Sequence, residues 1–301
     1  MGNAGEWAST AGFMAGWRVI KTLPEGASYA AFDRIADNLW SRNKGGVVQL
    51  ERNLRRVHPE YSEEQVRELS REGMRSYMRY WCEAFRLPTW SPQRITSTFH
   101  MQRRHLMDDA LASGQGAVMV PGHMANWDHA GAWGCLRYGG VTTVAERLKP
   151  TRLFEEFLAY RERLGFEVLA LGDSDVMRTL VRRLREGRLV ALLGDRDLSG
   201  SGVHVELCGE MASLPAGPAL LSIMTGAPLH PVTMWFEDGI TCGYVHDRIE
   251  VPAGVDREVA VSMMTQQIAD AFTEGIRTHS RDWHMLQKVW LADVDRTKVS
   301  A

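Results

Sequence analysis

Ala117-Val118-Met119-Val120-Pro121-Gly122-His123-Met124-Ala125-Asn126-Trp127-Asp128, residues 117–128, is the stretch from which the fold is read. Its four leading apolar residues form a run too short for a helix, and Pro121-Gly122 stops it, so it reads as a buried strand. A helix follows from about Trp127 to Leu136. The same alternation continues downstream. Val141–Ala145 is a β-branched strand, and Arg152–Leu164 is a helix ending at Gly165, where glycine suits the left-handed residue that closes helices. Glu167–Leu171 is a strand, Asp175–Glu186 a helix closed by Gly187, and Leu189–Leu193 a strand. Leu214–Thr225 is a helix, Leu229–Phe236 and Thr241–His246 are strands, and a last helix covers Val259–Thr278. Strands alternating with helices of about 10–15 residues indicate an α/β fold: a central, mostly parallel sheet flanked by helices.

Upstream the period changes. Phe13, Trp17 and Ile20 recur at helical spacing, as do Tyr29, Phe32, Ile35, Ala36 and Leu39, with Pro24-Glu25-Gly26 as the turn between them. Helices continue through Val47–Val57 and Glu63–Phe85, and Leu87-Pro88 ends the block because a residue before proline disfavours the helical region. With no linker in sight, the chain reads as a single domain, 1–301. Residues 1–90 form its helical N-terminal part and 91–301 its α/β catalytic core.

Composition narrows the functional classes. The 301 residues carry 35 Lys plus Arg against 37 Asp plus Glu, a formal charge of −2, so there is no overall basic field for nucleic acid. Four cysteines (Cys82, Cys135, Cys208, Cys242) lie far apart with no CxxC pair, which argues against a disulfide scaffold or zinc ribbon and fits a reducing compartment. The uncharged stretch between Glu6 and Arg18 is too short to cross a bilayer, which takes about 20 residues. Met211–Phe236 lacks Asp, Glu, Lys and Arg but contains Pro215, Pro218, Pro228 and Pro231. At about 3 kcal/mol per interior proline, it reads as a buried helix and a buried strand.

His123 is placed at the carboxyl end of a strand, where active sites of open α/β sheets collect. Asp128 follows five positions later. On one helix the two would point roughly 140° apart, so they meet only if His123 is in the loop and Asp128 in the first helical turn. A carboxylate on one imidazole nitrogen sets the tautomer and makes the other a base. The plainer alternative is a structural histidine bonded to a nearby aspartate. His123, Asp128 and His129 have no standard metal-ligand spacing, so no metal is expected. A second charged cluster, Gly194-Asp195-Arg196-Asp197, follows the strand Leu189–Leu193. If it shares an edge with His123, Asp197 can bring a further carboxylate to the imidazole and Arg196 can stabilise an anion; a solvated turn is the alternative. Glu146 and Arg147 follow the strand Val141–Ala145, and Tyr160-Arg161 sit on the helix before Gly165. The absence of GxSxG, GxxxxGK[ST] and GxGxxG weakens hydrolase, P-loop and dinucleotide-binding readings.

The His123-x4-Asp128 motif after a short strand resembles the signature of the glycerolipid acyltransferase superfamily. The wider chain resembles its bacterial lipid A lauroyl/myristoyl acyltransferase family, and within that the actinobacterial phosphatidylinositol mannoside acyltransferases. The carrying segments are 11–18, Arg79–Pro88, Thr142–Pro150, Tyr160–Leu169, Leu214–Ala219 and Asp282–Gln287, in the same order along the chain. The resemblance implies an acyl-CoA-dependent O-acyltransferase that moves a palmitoyl-type chain onto the 6-hydroxyl of a mannose of phosphatidylinositol mannoside, without an acyl-enzyme. It has no cofactor beyond acyl-CoA as co-substrate. His123 and Asp128 match the family's catalytic pair and Arg161 its active-site arginine. Asp197 stands where the family has a glutamate touching the histidine, one methylene shorter. Asn126, Glu146, Arg147, Tyr160 and Arg196 are expected on the substrate side.

The implied setting is cytoplasmic and peripheral, on the inner face of the cell membrane. Phe13, Trp17 and Ile20, with Arg18 and Lys21, make an amphipathic segment suited to a bilayer interface or, equally, to the core. Arg178, Arg182, Arg183, Arg185 and Arg188 form a basic run that can meet anionic head groups or stay a solvated face. Residues 211–236 can line an acyl groove. The competing readings are a relative acting on a lipid A precursor or lysophospholipid, and a non-catalytic lipid-binding relative.

Overall fold

The computed structural model describes residues 20–147 and 151–294. The amphipathic segment around Phe13 and Trp17 lies outside them. The helical N-terminal part comprises α1 (Glu25–Ser41), α2 (Gly46–Val57) and α3 (Glu63–Arg86). Helix α3 starts at a capping box: Ser62 Oγ accepts the Gln65 backbone N–H at 3.2 Å, and Gln65 Oε1 accepts that of Ser62 at 2.8 Å. One face of α3 packs on α1 and α2, and its C-terminal half delivers Tyr80 and Glu83 to the rest of the molecule, both buried.

The core is a seven-stranded sheet. In chain order its strands are β1 (Phe99–Gln102), β2 (Ala117–Pro121), β3 (Val141–Ala145), β4 (Phe166–Ala170), β5 (Leu189–Ala191), β8 (Leu229–Glu237) and β9 (Ile240–Val245). Across the sheet the order is β1-β9-β8-β2-β5-β3-β4, every pair being parallel except β8 with β9. It is flanked by α6 (Trp127–Tyr138), α7 (Thr151–Arg163), α8 (Val176–Arg185), α9 (Gly217–Thr225) and α10 (Arg257–Thr278). All residues of β8 from Leu229 to Phe236 are buried, as a strand covered on both faces must be. The charge-free run thus contains the helix Gly217–Thr225 and this core strand, while its first residues, 211–214, belong to another strand. Among the described residues no helix is long and apolar enough to cross a membrane, and all four cysteines are buried and unpaired by disulfides.

The α/β reading holds, with additions the periodicity did not disclose. Residues 91–116 contain α4 (Pro92–Ser97), the edge strand β1 and α5 (His105–Ala112). Phe-His-Met-Gln of β1 is too short to show a period. A second small sheet pairs β6 (Val203–Leu207) with β7 (Glu210–Leu214) in an antiparallel hairpin. Its two-residue turn, Cys208-Gly209, has φ of 54° and 92°, the positive values such hairpins need. A cysteine in the first position hides the Asn-Gly or Asp-Gly signal. Leu214 therefore ends a strand, and α9 begins at Gly217, not at Leu214.

Helix α6 lies close on β4 because Gly131 has no side chain. A Cβ there would stand 2.1 Å from Phe166 Cζ. Gly131→Ala is expected to destabilise the protein by about 1–3 kcal/mol, as over-packing does, with Phe166→Leu in the same chain recovering part of the loss. Urea unfolding of the two single variants and the double variant measures this coupling.

Candidate active site

Neighbouring strands build the site. β2 and β5 run parallel with Val118 opposite Val190 and Met119 opposite Ala191. The pairing continues past the ends of the strands: Leu192 N donates to Met119 O at 3.0 Å and Gly194 N to Pro121 O at 2.9 Å. A Cβ on Gly194 would meet Val120 Cγ1 at 2.2 Å, so only glycine allows this approach. The next residue, Asp195, is thereby laid beside His123. Asp195 Oδ1 is 2.6 Å from His123 Nδ1, and Oδ2 accepts the His123 backbone N–H at 2.8 Å. Trp283 Nε1 donates to Oδ2 at 2.9 Å. Asp195 has no exposed surface. Burial alone would raise its pKa, but the charge of His123 and these hydrogen bonds outweigh it and hold the carboxyl below its usual value.

The loop bearing His123 is tied down on its other side. Ala125 adopts φ +46°, an uncommon conformation for a residue with a Cβ, and its N–H donates to Asp282 O at 2.8 Å; His284 N donates to His123 O at the same distance. The C-terminal segment 282–284 thus locks the loop. The His123 side chain is about 25% exposed. With Nδ1 protonated toward Asp195, Nε2 carries the lone pair of a base. The Trp127 ring stands edge-on to it at 5.4 Å and stacks on Tyr80 at 4.0 Å.

Asp128 occupies the first turn of α6 and His123 the loop, as expected, yet the carboxylate on the imidazole is Asp195. Asp128, itself buried, accepts Arg161 Nε at 2.7 Å, Arg161 Nη2 at 3.3 Å and the Tyr80 hydroxyl at 3.0 Å. Helix α6 turns Asp128 toward α7 and α3, whereas the adjacent strand delivers Asp195 directly. Burial works against the charge of Arg161, and Asp128 more than restores it, raising its pKa.

The Asp197 carboxylate is also engaged elsewhere. Its oxygens accept Ser199 N at 2.8 Å, Ser199 Oγ at 2.6 Å, Gly202 N at 2.8 Å and Ser213 Oγ at 3.1 Å. Burial opposes its charge and these bonds lower its pKa; it organises the loop between β5 and the hairpin. Asn126 is fully buried rather than open to a substrate. Its Oδ1 caps α6 through His129 N and its Nδ2 donates to Glu83 Oε2, both at 2.9 Å. Arg147 pairs with Asp173 at 2.6 Å on the surface, and Tyr160 is wholly buried. His129 is held by Thr241 Oγ1 and Ile95 O. Among the described residues no group of three His, Cys, Asp or Glu side chains could hold a metal.

A cavity of about 570 Å³ brings His123, Arg161, Glu146, Arg196 and Asp197 to one wall system, with His284 beside them. Most of its remaining lining is apolar, including Trp81, Phe154, Phe157, Leu180, Leu192, and Pro215 to Pro218 of the charge-free run. A narrower cavity of about 90 Å³ adjoins it at Trp127, Val144, Arg161 and Leu193 and runs among Met119, Trp133 and Phe166. The residues that sequence reasoning missed are Asp195, Tyr80, Trp283 and His284. Asp195 stood in the noted cluster, four positions past the end of β5. The others had no local signal beyond lying in segments that carry the resemblance.

A base oriented by a buried carboxylate, an arginine in the same cavity and a long apolar wall are the parts needed to acylate a hydroxyl. Residues 4–292 match the model of the family described as bacterial lipid A biosynthesis acyltransferase. The chain is 41% identical over 285 residues to a protein of Mycolicibacterium smegmatis (strain ATCC 700084 / mc(2)155) named phosphatidylinositol mannoside acyltransferase, covering 94% of this chain and 91% of that one. It is 42% identical over 300 residues to the protein of the same name from Mycobacterium tuberculosis (strain CDC 1551 / Oshkosh), covering 98% and 91%.

Buried His284 makes stability depend on pH. Burial, with the neighbouring charge of His123, pushes its pKa down to about 3, whereas an unfolded histidine titrates near ~6.5. Between these values the unfolded chain holds more protons, so stability falls as pH falls. Urea midpoints measured from pH 7 to pH 4 should drop more steeply for the wild type than for His284→Asn; parallel curves would refute this.

Proposed function

Because this chain belongs to the bacterial lipid A biosynthesis acyltransferase family and is an acyltransferase, we propose that it transfers a long, palmitoyl-type acyl chain from acyl-CoA to the 6-hydroxyl of a mannose of phosphatidylinositol mannoside. The observation that carries the chemistry is the 2.6 Å contact of His123 Nδ1 with buried Asp195, in a cavity that also holds Arg161. The names of the mycobacterial relatives support the acceptor.

In this mechanism His123 Nε2 takes the proton of the mannose hydroxyl as its oxygen attacks the thioester carbonyl. Asp195 keeps the imidazole in the right tautomer and stabilises the imidazolium. Arg161, aimed by Asp128 and Tyr80, faces the oxyanion of the tetrahedral intermediate. Collapse breaks the C–S bond, and the CoA thiolate leaves with the proton from His123. The carbonyl carbon passes directly from sulfur to oxygen, so no protein nucleophile is needed. The acyl chain lies along the apolar walls.

The same reading puts the cavity mouth on the inner face of the membrane. Leu171, Met177 and Leu198 line the cavity and are 38%, 36% and 42% exposed. Arg178, Arg182 and Arg185 of α8 are exposed nearby and suit anionic head groups. Arg183 is already paired with Glu167 at 2.5 Å and Glu186 at 3.0 Å.

Purified protein with palmitoyl-CoA and phosphatidylinositol mono- and dimannoside, a lipid A precursor and lysophosphatidate, read by mass spectrometry, tests the acceptor. Acylation of the mannosides is expected, and acylation confined to the other two would overturn it. His123→Ala should lose at least ~100-fold in rate, and Asp195→Asn should approach the same level while Asp197→Asn does not. A wild-type rate in His123→Ala removes the mechanism.

A further inference from the structure

His284 lines the same cavity as His123 and is itself 4% exposed. Its Nε2 lies 2.8 Å from Ser76 Oγ, and Ser76 Oγ lies 2.6 Å from Asp282 Oδ1. Asp282 accepts: its other oxygen takes the Phe236 backbone N–H at 3.1 Å, and Arg281 Nε is 3.5 Å away. A serine hydroxyl has one proton, and here it goes to that carboxylate. Ser76 must then accept from His284, which places the imidazole proton on Nε2. Nδ1 is left with its lone pair, buried and, among the described residues, without a hydrogen-bond partner. None of the rings around it donates to Nδ1: Tyr77, Tyr80, Trp127 and Phe236 stand at centroid distances of 5.6 to 6.4 Å, and the Tyr80 hydroxyl is given to Asp128.

A buried acceptor that the fold leaves unmatched is costly, and this one is held beside the base by the backbone bond between His284 N and His123 O. We propose that His284 Nδ1 accepts a hydrogen bond from a second hydroxyl of the acyl acceptor, adjacent to the hydroxyl that His123 deprotonates. This rests on the acyltransferase reading and sharpens it. The acceptor is a polyhydroxylated sugar gripped at two hydroxyls, and His284 sets the preference for it over a simple alcohol. Sites built to bond a substrate hydroxyl reject analogues that lack it.

The experiment compares wild type, His284→Phe, which keeps ring bulk without an acceptor, and His284→Asn, whose amide oxygen reaches the Nδ1 position. With palmitoyl-CoA, the ratio of kcat/KM for an alkyl mannoside to kcat/KM for a simple primary alcohol should fall at least tenfold in His284→Phe and recover in part in His284→Asn. An unchanged ratio in a His284→Phe protein of normal thermal midpoint overturns the proposal. ¹⁵N-histidine NMR of the wild type decides it independently of turnover. Nδ1 of His284 should be the unprotonated nitrogen in the free protein and should shift on titration with methyl α-mannoside; a protonated Nδ1 or no shift overturns it. If the wild type transfers no acyl group, the acyltransfer reading fails, while the NMR result still decides the role of His284.

Discussion

Asp195 is a carboxylate with no access to water that accepts from three donors: the ring and the backbone of His123, and the indole of Trp283. Those donors come from the loop after β2 and from the C-terminal segment, and the carboxylate itself comes from the loop after β5. A buried charge persists only when such partners surround it. The constraint therefore ties three distant parts of the chain into one rigid unit. It also explains the glycine before it, since β5 must approach β2 more closely than any side chain permits.

A second, separate unit stands next to it. Asp128, Arg161 and Tyr80 join α6, α7 and α3 by hydrogen bonds of 2.7 to 3.3 Å. The Trp127 ring lies between the units, stacked on Tyr80 and edge-on to His123. The five-residue spacing of His123 and Asp128 thus serves two neighbouring centres. One orients an imidazole and the other holds a cation, and the helix start between them keeps their relative placement. The helical N-terminal part matters for the same reason, because α3 brings Tyr80 to one centre and Ser76 to His284.

Much of this was legible in residue patterns. Buried parallel strands are short apolar runs ended by Pro or Gly, so β2, β3, β5 and β8 could be located almost to the residue. The pattern faltered where an element leaves no period. The edge strand Phe99–Gln102 is four residues long, and the hairpin turn at Cys208-Gly209 lacks its usual residue. At the site, His123 was visible from its place at a strand end and Arg161 from the resemblance. Asp195 lay in a recognised cluster, but its neighbour Asp197 was the one expected at the imidazole. Spacing along a chain cannot show which of two nearby carboxylates faces inward.

Residue order by itself determined the α/β class, the helical N-terminal part, the strand that carries His123, and the family to which the chain belongs, because these depend on local periodicity and on motifs contiguous in sequence. Only the tertiary structure decided the pairing of His123 with Asp195, the diversion of Asp128 to Arg161, the burial of Asn126, and the arrival of Trp283 and His284 beside His123. Each of these depends on strand order and on which residues of separate segments meet across the sheet. Contacts between residues 72 and 88 positions apart follow from how layers pack, and packing is a property of the whole chain.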